Sequence, residues 1–153
     1  MLRRIGVVSL FLSAFMLTGV TAFSQTNDVI DRMLDAEQAS RNDALYLVAI
    51  VSESVSPEAQ PQEALDAVDW SAYGIAPSDS GSITFGELSY LLMETMEVKG
   101  GLFYSLFPGP RYAAREFRYL DIPARRYYSG STLSGTEVLR LTQRAAERLG
   151  GDR

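Results

Sequence analysis

The chain has 153 residues, 46% of them hydrophobic, and a formal net charge of −5. It contains no His and no Cys. That excludes Ser–His and Cys–His nucleophilic catalysis, zinc sites of the usual kind, haem ligation through His or Cys, and any disulfide framework.

The first residues, MLRRIGVVSLFLSAFMLTGVTAFS, combine a basic start, an apolar run and a small-residue exit. This is the pattern of a secretory signal peptide, residues 1–24, with cleavage expected after Ala22 or Ser24. The apolar run is at or below spanning length, so no stable membrane span is expected after cleavage. Export places the protein in the periplasm or at the cell surface of a bacterium. The remainder, residues 25–153, has room for one domain.

Charge divides along the chain. From Asn27 to Val98 there are 14 acids against Arg32 and Arg41, a balance of 2 − 14 = −12. From Lys99 onward there are ten bases and five acids, a balance of +5. Two readings follow: the halves attract each other within the fold, or the C-terminal part meets an anionic partner.

In chain order, Val29, Ile30, Met33 and Leu34 recur at helical spacing behind Asn27, a plausible N-cap. Asp43 to Val55 is apolar on nearly every side and predicts a central helix, paired with the first as an N-terminal hairpin. Pro61 suits the first turn of a helix carrying Ala64, Leu65, Val68 and Trp70, ended by Gly74. A helix after Gly81 carries Leu88, Leu91, Leu92 and Met96, with Gly100 available for a left-handed cap. Leu102 to Phe107 fits a short strand. Pro110 opens a helix with Ala113, Phe117 and Leu120, and a last helix runs from Ser134 to Leu149. The fold class expected is mainly α: a small bundle of helix–loop–helix repeats.

The repeat is visible as two matches. Ala67 to Ile75 aligns with Ala114 to Ile122, and Ile83 to Leu92 with Leu133 to Thr142, which defines units of about 61–98 and 110–149. The second match has a mechanism. Thr84-x-x-Glu87 and Ser134-x-x-Glu137 are both capping boxes, flanked by the staple pairs Ile83/Leu88 and Leu133/Val138. Read alone, Gly81 to Glu87 also looks like the end of a calcium loop. Its first ligand position is Ala76, the next two are Ser78 and Ser80, and Asp79 is off-register, so no metal and no cofactor is expected.

An aromatic helix ending in Gly74-Ile75, a loop with Asp79-x-Gly81, and then Ile83-Thr84-x-x-Glu87-Leu88 resembles the S-layer-homology (SLH) repeat of bacterial envelope proteins. The resemblance implies a compact helical domain, typically of three repeats, that binds cell-wall polysaccharide. In that family a basic residue usually follows the threonine and is central to binding; here Phe85 and Gly135 stand there. Only two repeats are legible, and Asn27 to Val55 stands where a third would be.

Binding chemistry concentrates between Pro110 and Tyr128. Arg111, Arg115 and Arg118 fall at i, i+4 and i+7, hence on one helical face. Arg125 and Arg126 follow, interleaved with Tyr112, Tyr119, Tyr127 and Tyr128. Guanidinium forks suit carboxylates and phosphates, and aromatic rings suit sugars or cation–π stacking. The competing reading is salt bridging to the acidic half. The functional expectation is a non-catalytic envelope module that contacts an envelope protein or cell-wall polysaccharide through this segment and the adjoining GGLFY. An exported, acidic chain is not expected to bind nucleic acid. The alternatives are a small secreted hydrolase using paired carboxylates, with Glu53, Glu94 and Glu97 as candidates, and a purely structural subunit of an envelope assembly.

Overall fold

The structure, a computed structural model, describes residues 22–78 and 81–150, with the side chains of the first helix from Asp28 on. All but the last three residues of the expected signal segment lie outside this range, as do Asp79 and Ser80. The described residues form helices α1 (Ala22–Asp35), α2 (Arg41–Val51), α3 (Pro61–Ala67), α4 (Phe85–Thr95), α5 (Leu102–Leu106), α6 (Pro110–Tyr119) and α7 (Gly135–Leu149), with a 3-10 turn at Trp70–Tyr73. The mainly helical class is as expected, and among the described residues extended pairing is confined to isolated bridges, Ser40 with Ser82 and Thr84 with Thr132.

The apolar pattern accounts for the packing. Residues 43–49 of α2 are all buried, which matches a helix without a polar face. α2, α4 and α7 contact one another at the centre. Each is backed by a helix from elsewhere in the chain: α3 on α2, α6 on α4 and α1 on α7. The three units α1–α2, α3–α4 and α6–α7 therefore interlock, the first helix of each resting on the second helix of the unit before it.

The loops entering the central helices join in a ring. The Ala39 amide donates to the Leu133 carbonyl (2.8 Å), Leu133 to Ile83 (3.2 Å), and Ile83 back to Ala39 (3.3 Å). A second tier, whose donors lie two residues further on, closes the ring in the opposite direction. Arg41 donates to Gly81 (2.8 Å), Phe85 to Ser131 (2.8 Å), and Gly135 to Ala36 (3.0 Å). Ala39, Ile83 and Leu133 are at most 1% exposed, so these amides have no water to turn to and must find each other.

Both capping boxes form. The Thr84 and Ser134 amides each donate to the carboxylate three residues on at 2.9 Å, and the Glu87 and Glu137 amides donate back to the hydroxyls at 3.3 Å. The third central helix starts with Ser40 at its N-cap and Asp43 at the matching acid position, without a closed box. Asp43 instead accepts both Nε (3.1 Å) and Nη2 (2.5 Å) of Arg32, which ties α1 to α2.

Three local expectations are corrected. α1 starts at Ala22, so Asn27 lies inside the helix rather than at its cap. The left-handed residue after α4 is Glu97 (φ 55), not Gly100. Gly100 is instead small because a Cβ there would stand 2.6 Å from the Tyr104 ring. Leu102 to Leu106 is helical rather than extended, because the Gly101 carbonyl accepts from the Ser105 amide at 3.0 Å.

Glycine at 135 is a packing requirement. A Cβ would lie 1.8 Å from the Met33 carbonyl oxygen, an overlap with backbone that no rotamer relieves. Gly135→Ala is expected to cost about 2–3 kcal/mol, whereas Gly130→Ala, with nothing within 4 Å, should leave stability unchanged in urea titration. Thr84→Ala and Ser134→Ala should each lower the unfolding free energy by about 1 kcal/mol in the same assay.

Candidate functional site

The basic face is built on α6, the loop after it, and α7. α6 turns Ala113, Ala114 and Phe117 into the core against α4, which leaves Arg111, Arg115 and Arg118 on the opposite, exposed side. Its start approaches α4 closely at Gly86, where a Cβ would sit 3.0 Å from the Pro110 carbonyl and 2.9 Å from that of Ser129. The loop then makes a left-handed turn at Asp121 (φ 55) and buries Ile122, so Arg125 and Arg126 emerge at the surface. Tyr127 folds back. Its ring stacks on Phe85 at 4.9 Å, and Phe85 also meets Phe117 edge-on at 6.4 Å.

These elements form four adjoining clefts. Arg111, Arg115 and Arg118 line the first, of about 450 Å³, together with Phe103 and Tyr112. Arg118 is shared with the second, of about 520 Å³, which adds Arg125 and Arg126. Arg125 is shared with the third, of about 340 Å³, lined also by Tyr127, Glu137, Arg140 and Arg144. Arg144 continues into a fourth, of about 320 Å³, with Arg148, Asp121 and Glu147. The clefts adjoin through these shared residues as a groove edged by guanidinium groups, with the carboxylates Asp121, Glu137 and Glu147 among its lining. Tyr119, 87% exposed, and Tyr128, 81% exposed, lie outside these clefts.

Arg140, Arg144 and Arg148 extend the face beyond the segment that the sequence singled out. Their spacing of four places them along one edge of α7, a signal present in the sequence but masked there by the amphipathic pattern of the helix.

The ion pairs answer the question of the two halves. Among the described residues they are Arg32–Asp43, Arg41–Glu87 and Arg125–Glu137. No arginine downstream of Lys99 is paired to the acidic half among them. Arg118 donates to the Tyr127 carbonyl (3.3 Å) and Arg144 to that of Ile122 (3.2 Å), both backbone acceptors that leave the charge uncompensated. Arg115 lies over the Phe103 ring, 5.5 Å from its centre.

Glu137 is the most connected acid of the groove. It closes its capping box, accepts from the Tyr127 hydroxyl at 3.0 Å, and pairs with Arg125, which also lies over the Tyr127 ring at 4.8 Å. Burial works to raise its pKa. The Ser134 amide, the Tyr127 hydroxyl and the Arg125 charge outweigh burial and hold the carboxyl below the ordinary glutamate range. Glu87 is engaged in the same way, by its box and by Arg41 at 3.3 Å, so the oxygens that suggested a calcium ligand are spent on helix capping.

Of the hydrolase candidates, Glu53, Glu94 and Glu97 line none of these clefts. Glu94 accepts from the Tyr104 hydroxyl at 2.5 Å; burial and this bond push the Tyr104 pKa upward. Glu53 and Glu97 occupy left-handed turns, at φ 60 and 55.

A depressed carboxylate pKa stabilises the fold above the unfolded-state pKa and loses that contribution as pH falls through the folded value. The melting temperature should therefore fall on acidification below the ordinary glutamate range, and Glu137→Gln should flatten that part of the curve while lowering the plateau at pH 7. Thermal melts from pH 7 to pH 3 check this.

No family model, no curated protein and no solved structure matches this chain.

Proposed function

We propose that the chain is a non-catalytic binding module of a bacterial envelope whose ligand is an anionic cell-wall glycan, held along the arginine groove. The observation that carries this reading is the groove itself. Arg111, Arg115, Arg118, Arg126, Arg140, Arg144 and Arg148 are exposed and have no carboxylate partner among the described residues. Guanidinium groups that outnumber the carboxylates along the groove repel one another, and an acidic polymer relieves that repulsion. Planar guanidinium forks also match carboxylate and phosphate groups in pairs.

The interlocked units lend support to the SLH resemblance, since that family typically combines three repeats. The ring gives Ala39-Ser40-Arg41 the place held by Ile83-Thr84-Phe85 and Leu133-Ser134-Gly135. Arginine thus stands once, at Arg41, where the family carries its basic residue. Phe85 is buried under Tyr127, and Gly135 abuts Met33, so neither position has room for a cation. The Arg41 guanidinium is directed to Glu87 and to the Ser82 carbonyl at 3.3 Å. The ligand contact is therefore assigned to the downstream groove rather than to the helix starts. The expected export to periplasm or cell surface belongs to the same proposal.

Sedimentation with purified wall glycan tests it. The wild type should co-sediment with acidic wall polymer and release on raising salt, because exposed charge pairs are screened. Arg111→Ala/Arg115→Ala/Arg118→Ala and Arg140→Ala/Arg144→Ala should each weaken retention by about tenfold. Equal retention of wild type and both variants, or preference for a neutral glycan, would overturn the reading.

A further inference from the structure

The segment after α4 carries a second surface with different chemistry. α5 exposes Leu102 (72%), Phe103 (52%) and Leu106 (60%), and Phe107 (62%) follows directly. Such a cluster is costly in water and marks a contact surface. Its exposure is built in rather than left over. Tyr104, buried and bonded to Glu94, pins the helix from beneath, and Phe103 and Phe107 both lie against Tyr112, at 6.4 and 6.2 Å. Gly100-Gly101 precede it and Pro108-Gly109-Pro110 follow it.

The charge beside this apolar cluster selects among occupants. Arg111 and Arg115 border it, and both lack a carboxylate partner among the described residues. A second copy packed head to tail would have to bring apolar surface from its acidic half. Among the described residues that half exposes Leu34 alone of the large apolar side chains. A copy packed face to face would set arginines against arginines. An apolar tip with a cationic collar fits an anionic lipid surface, which offers hydrocarbon to the tip and phosphate to the collar.

We propose that residues 102–107 form a membrane-surface anchor that seats Leu102, Leu106 and Phe107 at the headgroup–acyl boundary of an anionic bilayer, with Arg111 and Arg115 meeting lipid phosphates. The anchor lies on the membrane and does not cross it; among the described residues no helix is long and apolar enough to span. This goes beyond glycan binding, because these apolar tips have no task in a polar groove.

The absence of cysteine makes the test direct. An environment-sensitive fluorophore on Leu106→Cys in the full chain should shift to the blue with vesicles of phosphatidylcholine and phosphatidylglycerol at 3:1. It should shift less with phosphatidylcholine alone. The same label on Glu58→Cys, exposed on the acidic side, should not shift. Leu102→Ser/Leu106→Ser/Phe107→Ser, checked for native helix content and melting temperature, should bind the mixed vesicles about tenfold more weakly than wild type carrying the same N-terminus. An unshifted Leu106→Cys probe, a triple variant that binds like wild type, or a blue shift that appears on concentrating the protein without vesicles would overturn the proposal, the last in favour of self-association. The vesicles contain no glycan, so failure here and failure of glycan retention are separate results.

Discussion

Three buried amides decide this fold. Ala39, Ile83 and Leu133 each donate to the next around a ring, and none of the three can reach water. An unpaired amide at such a site costs about 1–3 kcal/mol. The ring forms only when all three loops arrive in register. It therefore couples segments from the start, middle and end of the chain, and the interlocked packing of α1 on α7, α3 on α2 and α6 on α4 follows from that coupling.

Each of the three helix starts that leave the ring carries an acid at its third position, and each acid holds an arginine: Asp43 with Arg32, Glu87 with Arg41, Glu137 with Arg125. A carboxylate in the first turn is favourable to the helix dipole; arginine takes the oxygen that the box leaves free on Glu87 and Glu137, and both oxygens of Asp43. The cations paired with the acids are thus committed to architecture. The arginines left over lie on the outer edges of α6 and α7 and, as Arg126, in the loop between them, where together with Arg125 they line the groove. Paired and unpaired arginines separate by whether a capping acid stands within reach.

Much of this was legible residue by residue. The capping boxes at Thr84 and Ser134, the all-round apolar α2, and the placing of Arg111, Arg115 and Arg118 on one helical face each rest on contacts within one turn or on helical periodicity, and each formed as expected; that this face meets solvent rather than the acidic half was left open by the sequence. The place of the Ser40 helix start in the ring was not legible. Its acid is Asp43, too short to close a box as Glu does, and the residue before the cap is Ala39 rather than a larger apolar side chain. The helical state of Leu102 to Leu106 was also hidden, because a run of alternating size between glycines and prolines carries no period long enough to read.

By itself the sequence determined the capping boxes of α4 and α7, which faces are apolar, and which catalytic chemistries are absent, because these depend on residue type and on neighbours within a turn or two. Only the tertiary structure decided that Tyr127 turns inward onto Phe85, that Gly135 must stay small beneath the Met33 carbonyl, and that arginines from two helices share one groove unopposed by the acidic half among the described residues. Those outcomes depend on which distant segments the ring of loops brings together. No local pattern of charge or hydropathy encodes the approach of residues so far apart in the chain.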